Sequence, residues 1–68
     1  MKNSIKVERA KNNWTQAKLA EQAKVSRQTI NAMELGKYAP SIVLALKLAE
    51  LFETTVNELF TLDESDWV

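Results

Sequence analysis

The side chains able to do chemistry in this 68-residue sequence are few in kind: amides, hydroxyls, guanidinium and ammonium groups, and carboxylates. There is no Cys and no His. That removes thiolate and imidazole nucleophiles together with the ligands most metal sites use. Gly36 is the sole glycine, so no Gly-rich phosphate loop can form. Glu8, Glu21, Glu34 and the C-terminal acids offer no defensible general acid–base pair and read as surface or structural charges. No catalytic residue, metal, cofactor or small-molecule substrate is therefore expected, and what remains is recognition by polar and charged groups.

The charges are unevenly placed. Nine Lys plus Arg balance nine Asp plus Glu, yet residues 1–40 hold eight basic side chains against three acidic ones, and residues 41–68 hold one against six. A basic front and an acidic back predict an anionic partner for the front, with the back kept away from it. At 46% hydrophobic the composition is globular. A chain this short buries only about 60% of its unfolded surface, so one domain spanning 1–68 is expected, with a helical core over 1–60 and an acidic tail over 61–68. The longest apolar run, Ile42 to Leu46, is too short to span a membrane or form a signal-peptide core, which predicts a cytoplasmic protein.

The elements that must position these groups are helices. Gly36 and Pro40 are the only strong breakers, good helix formers fill the rest, and no stretch alternates with period two. Caps mark the starts: Asn3 or Ser4 for a first helix to Asn12–Asn13; Thr15, with Trp14 and Leu19 as a hydrophobic staple, for a second over about 16–23; Ser26, with Val25 and Ile30 likewise, for a third over about 27–35 closed by Gly36. Ser41 begins a fourth helix to about residue 52, with Ile42, Ala45, Leu48, Ala49 and Phe52 at core spacing. Thr55 and Glu58 form a capping box for a short fifth helix reaching Phe60. The fourth helix also carries Val43, Leu44, Leu46 and Leu51, so it is apolar nearly all round and not all of it can be buried. The expected fold is all-α, a compact five-helix bundle.

The second and third helices are short and joined by about three residues, Lys24-Val25-Ser26. That is the helix-turn-helix arrangement, whose second helix enters the DNA major groove. Leu19, Ile30 and Met33 are apolar where an interior is needed, Val25 fills the turn, and Ala20 is small where two helices approach closely.

These residues resemble a known family. Thr15-Gln16-Ala17-Lys18-Leu19-Ala20, Val25-Ser26-Arg27-Gln28-Thr29-Ile30-Asn31 and Glu34-Leu35-Gly36-Lys37-Tyr38-Ala39-Pro40-Ser41 look like the helix-turn-helix of Cro/CI-type (XRE family) regulators. Leu44 to Ala49 and Thr54 to Phe60 look like that family's fourth and fifth helices. The likeness covers residues 5–60 and is nearest to short members without a sensor module. It implies a DNA-binding transcriptional regulator, commonly dimeric. By the same resemblance Gln16 contacts a phosphate and braces the recognition helix. Arg27, Gln28, Thr29, Asn31 and Ala32 face the bases; Ser26, Gly36, Lys37 and Tyr38 stand with Gln16 along the DNA backbone; Arg9 and Glu34 form a structural ion pair. Arg pairs bidentately with guanine O6/N7 and Gln with adenine N6/N7.

Three departures from the family pattern stand out. Lys24 holds a turn position usually given to Gly, at a cost of roughly 1–2 kcal/mol if that residue is left-handed. Glu8 replaces an apolar residue, so the first helix must lean on Ile5 and Val7. Leu35 replaces a polar one and is an apolar contact left at the surface. In the back half, Leu51, Phe60, Leu62 and Trp67 are candidates for a homodimer seam, with a short C-terminal strand as one way to make it; the alternative for the tail is a frayed end. The predicted function is a sequence-specific repressor that binds a palindromic operator as a homodimer. Its rivals are the DNA-binding antitoxin of a toxin–antitoxin pair and a helical protein-interaction module.

Overall fold

A computed structural model describes residues 1–68. The chain order is β1 (Lys2–Asn3), α1 (Ile5–Lys11), α2 (Gln16–Ala23), α3 (Arg27–Glu34), α4 (Ile42–Leu51), α5 (Val56–Leu59), β2 (Phe60–Thr61) and a 3₁₀ turn (Glu64–Trp67). α2 packs on α3 and α4, and α4 carries α5. The helices start where the caps place them. Thr15, Ser26, Ser41 and Thr55 each accept, through the side-chain oxygen, the N–H three residues on, at 3.0–3.2 Å.

One start is settled between its two candidates, and another differs from expectation. Ser4 makes no side-chain cap on α1; Asn3 Oδ1 accepts the Ile5 N–H at 3.2 Å in its place. Asn3 Nδ2 also donates to the Met33 carbonyl at 2.8 Å, so one amide satisfies the start of α1 and the end of α3. At α5 only half of the expected capping box forms. The Glu58 carboxylate reaches the Thr54 hydroxyl at 2.9 Å rather than the Thr55 N–H.

The core is Ile5, Leu19, Ala20, Ala23, Ile30, Met33, Leu44, Ala45, Leu48, Ala49, Phe52, Leu59 and Phe60, with Trp14 and Val25 packed on its edge. The Trp14 and Phe52 rings lie 5.7 Å apart. Ile42 does not join it. The buried stripe of α4 runs through positions 44, 45, 48, 49 and 52, and this phase turns Ile42, Val43 and Leu46 outward. Val7 is exposed as well, so α1 leans on Ile5 alone, while Glu8 pairs with Lys11 on the outside.

The C-terminal strand exists but pairs within the chain. β1 and β2 run antiparallel with Lys2 opposite Thr61 and Asn3 opposite Phe60. α5 therefore stops at Leu59, and Phe60 starts the strand with its ring in the core, which removes it as a seam residue. The tail is not frayed. Asp63 and Asp66 form a reciprocal capping box on the 3₁₀ turn, and both carboxylates contact the Met1 α-amino group. No helix is long and apolar enough to cross a membrane.

Candidate nucleic-acid interface

The turn between α2 and α3 is made by one residue in an unusual conformation. Lys24 has φ 60° and ψ 44°, in the left-handed region. The chain then folds back so that the Val25 N–H donates to the Ala20 carbonyl at 3.1 Å, closing α2. Val25 points at the core, and Ala20 and Ala23 are buried and small enough for α3 to approach closely. Ser26 then caps α3, its hydroxyl 2.9 Å from that of Thr29.

Burial fixes the face α3 presents. Ile30 and Met33 are fully enclosed. Helical periodicity therefore turns Arg27, Gln28 and Asn31 outward, and all three are exposed, while Thr29 and Ala32 are half-buried at the margins. Arg27, Gln28 and Asn31, with Gln16 from α2, line a shallow hollow of about 230 Å³ that has no apolar residue in it. Three side chains able to pair with base edges, Arg27, Gln28 and Asn31, thus open on one surface.

Beneath this surface runs a bonded network. Arg9 Nε donates to Glu34 Oε2 at 2.7 Å and Arg9 Nη2 to Glu34 Oε1 at 3.1 Å, a fork on a mostly enclosed carboxylate. A third Arg9 donor, Nη1, reaches the Trp14 carbonyl at 2.9 Å and ties α1 to the start of α2. Burial acts to raise the Glu34 pKa. The hydrogen bonds from Arg9 and Gln16 and the charges of Arg9 and Lys6 outweigh it and hold the carboxyl below its ordinary value. Arg9 is in turn pushed up by its hydrogen bond with Glu34.

Gln16 bends inward. Its Nε2 donates to Glu34 Oε1 and to Asn31 Oδ1, each at 3.0 Å. An amide nitrogen has two protons and both are spent, so the side chain has no donor left for a phosphate. Any phosphate contact here falls to the free backbone N–H groups at the start of α2. Bracing of α3, the other expected role, is what its geometry provides.

After α3 the Gly36 N–H closes on the Met33 carbonyl at 3.0 Å and the Lys37 N–H on Ala32 at 2.9 Å, with Gly36 at φ 74°. Both N–H groups are consumed by the helix end, so Gly36 supplies the turn, and the Lys37 and Tyr38 side chains, with the backbone N–H groups that follow, are what the loop can offer a phosphate. The acidic back is not wholly remote from this loop. Asp66 borders one hollow with Gly36, Lys37 and Tyr38, and its charge is met by the Met1 α-amino group. Of the seam candidates, Leu62 and Trp67 are exposed and Leu51 is half-buried.

The pattern that describes helix-turn-helix proteins matches residues 5–59, from the first residue of α1 to the last of α5. The chain belongs to the Cro/CI-type helix-turn-helix family. It is 46% identical over 66 residues to an uncharacterized HTH-type transcriptional regulator of Methanocaldococcus jannaschii, covering 97% of this chain and all of that one. It is 42% identical to another from Bacillus subtilis, again 97% against 100%. A third, from Archaeoglobus fulgidus, is 44% identical, over 97% of this chain and 93% of its own. This family member is a DNA-binding transcriptional regulator.

Proposed function

We propose that the regulator represses transcription by seating a homodimer on a palindromic operator, with α3 in the major groove of each half-site. The observation that carries this reading is the exposed polar surface of Arg27, Gln28 and Asn31 on a helix whose other face is locked into the core. Arg27 is placed for a guanine and Gln28 for an adenine. Asn31 extends the same face, while Thr29 and Ala32 border it, Ala32 with only a methyl to offer thymine. Lys37 and Tyr38 take the phosphates beyond α3, and Ser26 takes one at its start. Residues 1–68 act as one domain, and the α3 that reads DNA also obstructs polymerase wherever the operator overlaps a promoter.

Two copies are needed to read two half-sites. The exposed Leu62 and Trp67, with Leu51, supply an apolar seam; Phe60 is already committed inside its own protomer. Selection of duplexes from a randomised pool at about 0.15 M salt tests the whole reading, because phosphate-only binding is suppressed there. An enriched palindrome with half-site centres about 10–10.5 base pairs apart is expected. Absence of any enriched sequence refutes the reading, and a single unrepeated half-site refutes the dimer.

A further inference from the structure

Glu34 continues the stripe of Arg27 and Asn31. The three stand at i, i+4 and i+7 along α3, so the C-terminal end of that stripe carries a carboxylate. Beside a phosphate backbone an acid weakens binding unless cations outnumber it locally. Arg9 balances Glu34 with its two-bond fork and goes no further. The surplus cation is Lys6. It lies three residues before Arg9 on α1, a spacing that makes two side chains neighbours on one helix face. The start of α1 is fixed to the same end of α3, because Asn3 donates to the Met33 carbonyl at 2.8 Å. The Lys6 charge is felt at the Glu34 carboxyl, where it helps to lower the pKa.

Most other basic residues of the front half are engaged. Arg9, Lys11 and Lys18 are in ion pairs with Glu34, Glu8 and Glu21. Lys2 shares a hollow with Asp63 and Glu64. Arg27 and Lys37 have their places at the bases and at the loop after α3. Lys24 stands in the turn before α3 and has no bond to the network under the stripe. Lys6 is exposed and makes no ion pair. We propose that Lys6 is a phosphate contact, gripping the DNA backbone from α1 where the α3 stripe ends in Glu34, as Lys37 grips it from the loop. An ammonium group is a point charge with three donors, suited to a phosphate and indifferent to sequence. The inference rests on the reading of α3 as the recognition helix.

The test is a salt titration of binding to a selected duplex and to an unrelated one. It uses the wild-type protein, Lys6→Ala, Lys6→Arg and Lys11→Ala, each checked for an intact fold by circular dichroism. Lys6→Ala is expected to reduce the slope of log affinity against log salt by about 0.9, the share of one phosphate, on both duplexes. Lys6→Arg should keep the wild-type slope. Lys11→Ala removes the same charge from the same helix, but from a pair with Glu8, and should leave the slope unchanged. An unchanged slope in Lys6→Ala, or an equal loss in Lys11→Ala, overturns the proposal while leaving the recognition helix in place. So does a Lys6→Ala protein that loses preference at one base pair, because a phosphate contact carries none. Failure to select any duplex overturns both readings.

Discussion

Replacing Lys24 with Gly should stabilise this protein, although it deletes a side chain and loosens a turn. Lys24 sits at φ 60° and Glu53, just past the end of α4, at φ 54°. In that region a Cβ crowds the following carbonyl at a cost of roughly 1–2 kcal/mol, which glycine escapes. Glycine also widens the unfolded ensemble, and that returns about 0.4–1 kcal/mol. The net gain is about 0.5–1 kcal/mol at each site, or a rise in Tm of roughly 2–8 °C for a domain of this size. The two sites share no hydrogen-bond partner, so Lys24→Gly and Glu53→Gly should add. Thermal unfolding followed by circular dichroism measures this. Lys24→Ala and Glu53→Ala separate strain from charge, since alanine removes the charge and keeps the Cβ. Asn13, at φ 54°, supplies a further control because asparagine tolerates this region, and Asn13→Gly should gain nothing. Alanine variants that match the glycine variants, or glycine variants that melt no higher than wild type, refute the strain argument.

Three further outcomes follow from the geometry. Glu34→Gln strands the Arg9 charge in a mostly enclosed site and should cost about 2–3 kcal/mol at neutral pH, read by urea unfolding. Because Glu34 titrates below its ordinary value of 4.5 when folded, its stabilisation is complete above that pH and is lost as pH falls through the folded value, so Glu34→Gln should flatten the acid limb. Asp63, drawn down to about 2 by the Ser65 hydroxyl and the Met1 α-amino group, keeps its own slope toward that pH in both proteins. Lys37→Ala should weaken binding to all sequences alike and reduce the salt slope by about 1, whereas Arg27→Ala should relax preference at one base pair; equal effects of the two in a salt titration would contradict their assignment. Trp67, 77% exposed, should raise the dimer dissociation constant at least about tenfold when changed to Ala, measured by analytical ultracentrifugation, and no change would remove it from the seam.

Local chemistry made most of the helical frame readable. Thr15, Ser26, Ser41 and Thr55 each bring a hydroxyl that a helix start can use, so α2 to α5 begin just after those residues. The errors cluster where partners are distant in sequence. β1 and β2 are two residues each and exist only because Lys2 and Thr61 meet; neither segment carries an alternating pattern. Ile42 fits core spacing as well as Leu44 does, and only the placement of α5 and α2 against α4 decides between the phases. Asp63 and Asp66 did have a legible signal: an acidic N-cap followed three residues later by a second acid is a capping box in all but residue type.

At the site, residue identity was legible and orientation was not. Spacing and resemblance give Gln16 a phosphate contact and a brace on α3, Asn31 a base contact, and Arg9 and Glu34 an ion pair. Fold geometry makes them one unit, because Glu34 lies within bonding distance of Arg9 from α1 and Gln16 from α2 at once. An amide is the side chain for which this matters most, since its two ends are alike in size and opposite in hydrogen-bonding sense. Residue order puts Asn31 on the exposed face of α3, but which end of its amide meets Gln16 is decided two hydrogen bonds away, by a carboxylate that accepts from Gln16. The scaffold ion pair and the orientation of the Asn31 amide are therefore coupled, and a substitution at Glu34 that keeps the protein folded should release Gln16 and free that amide to turn.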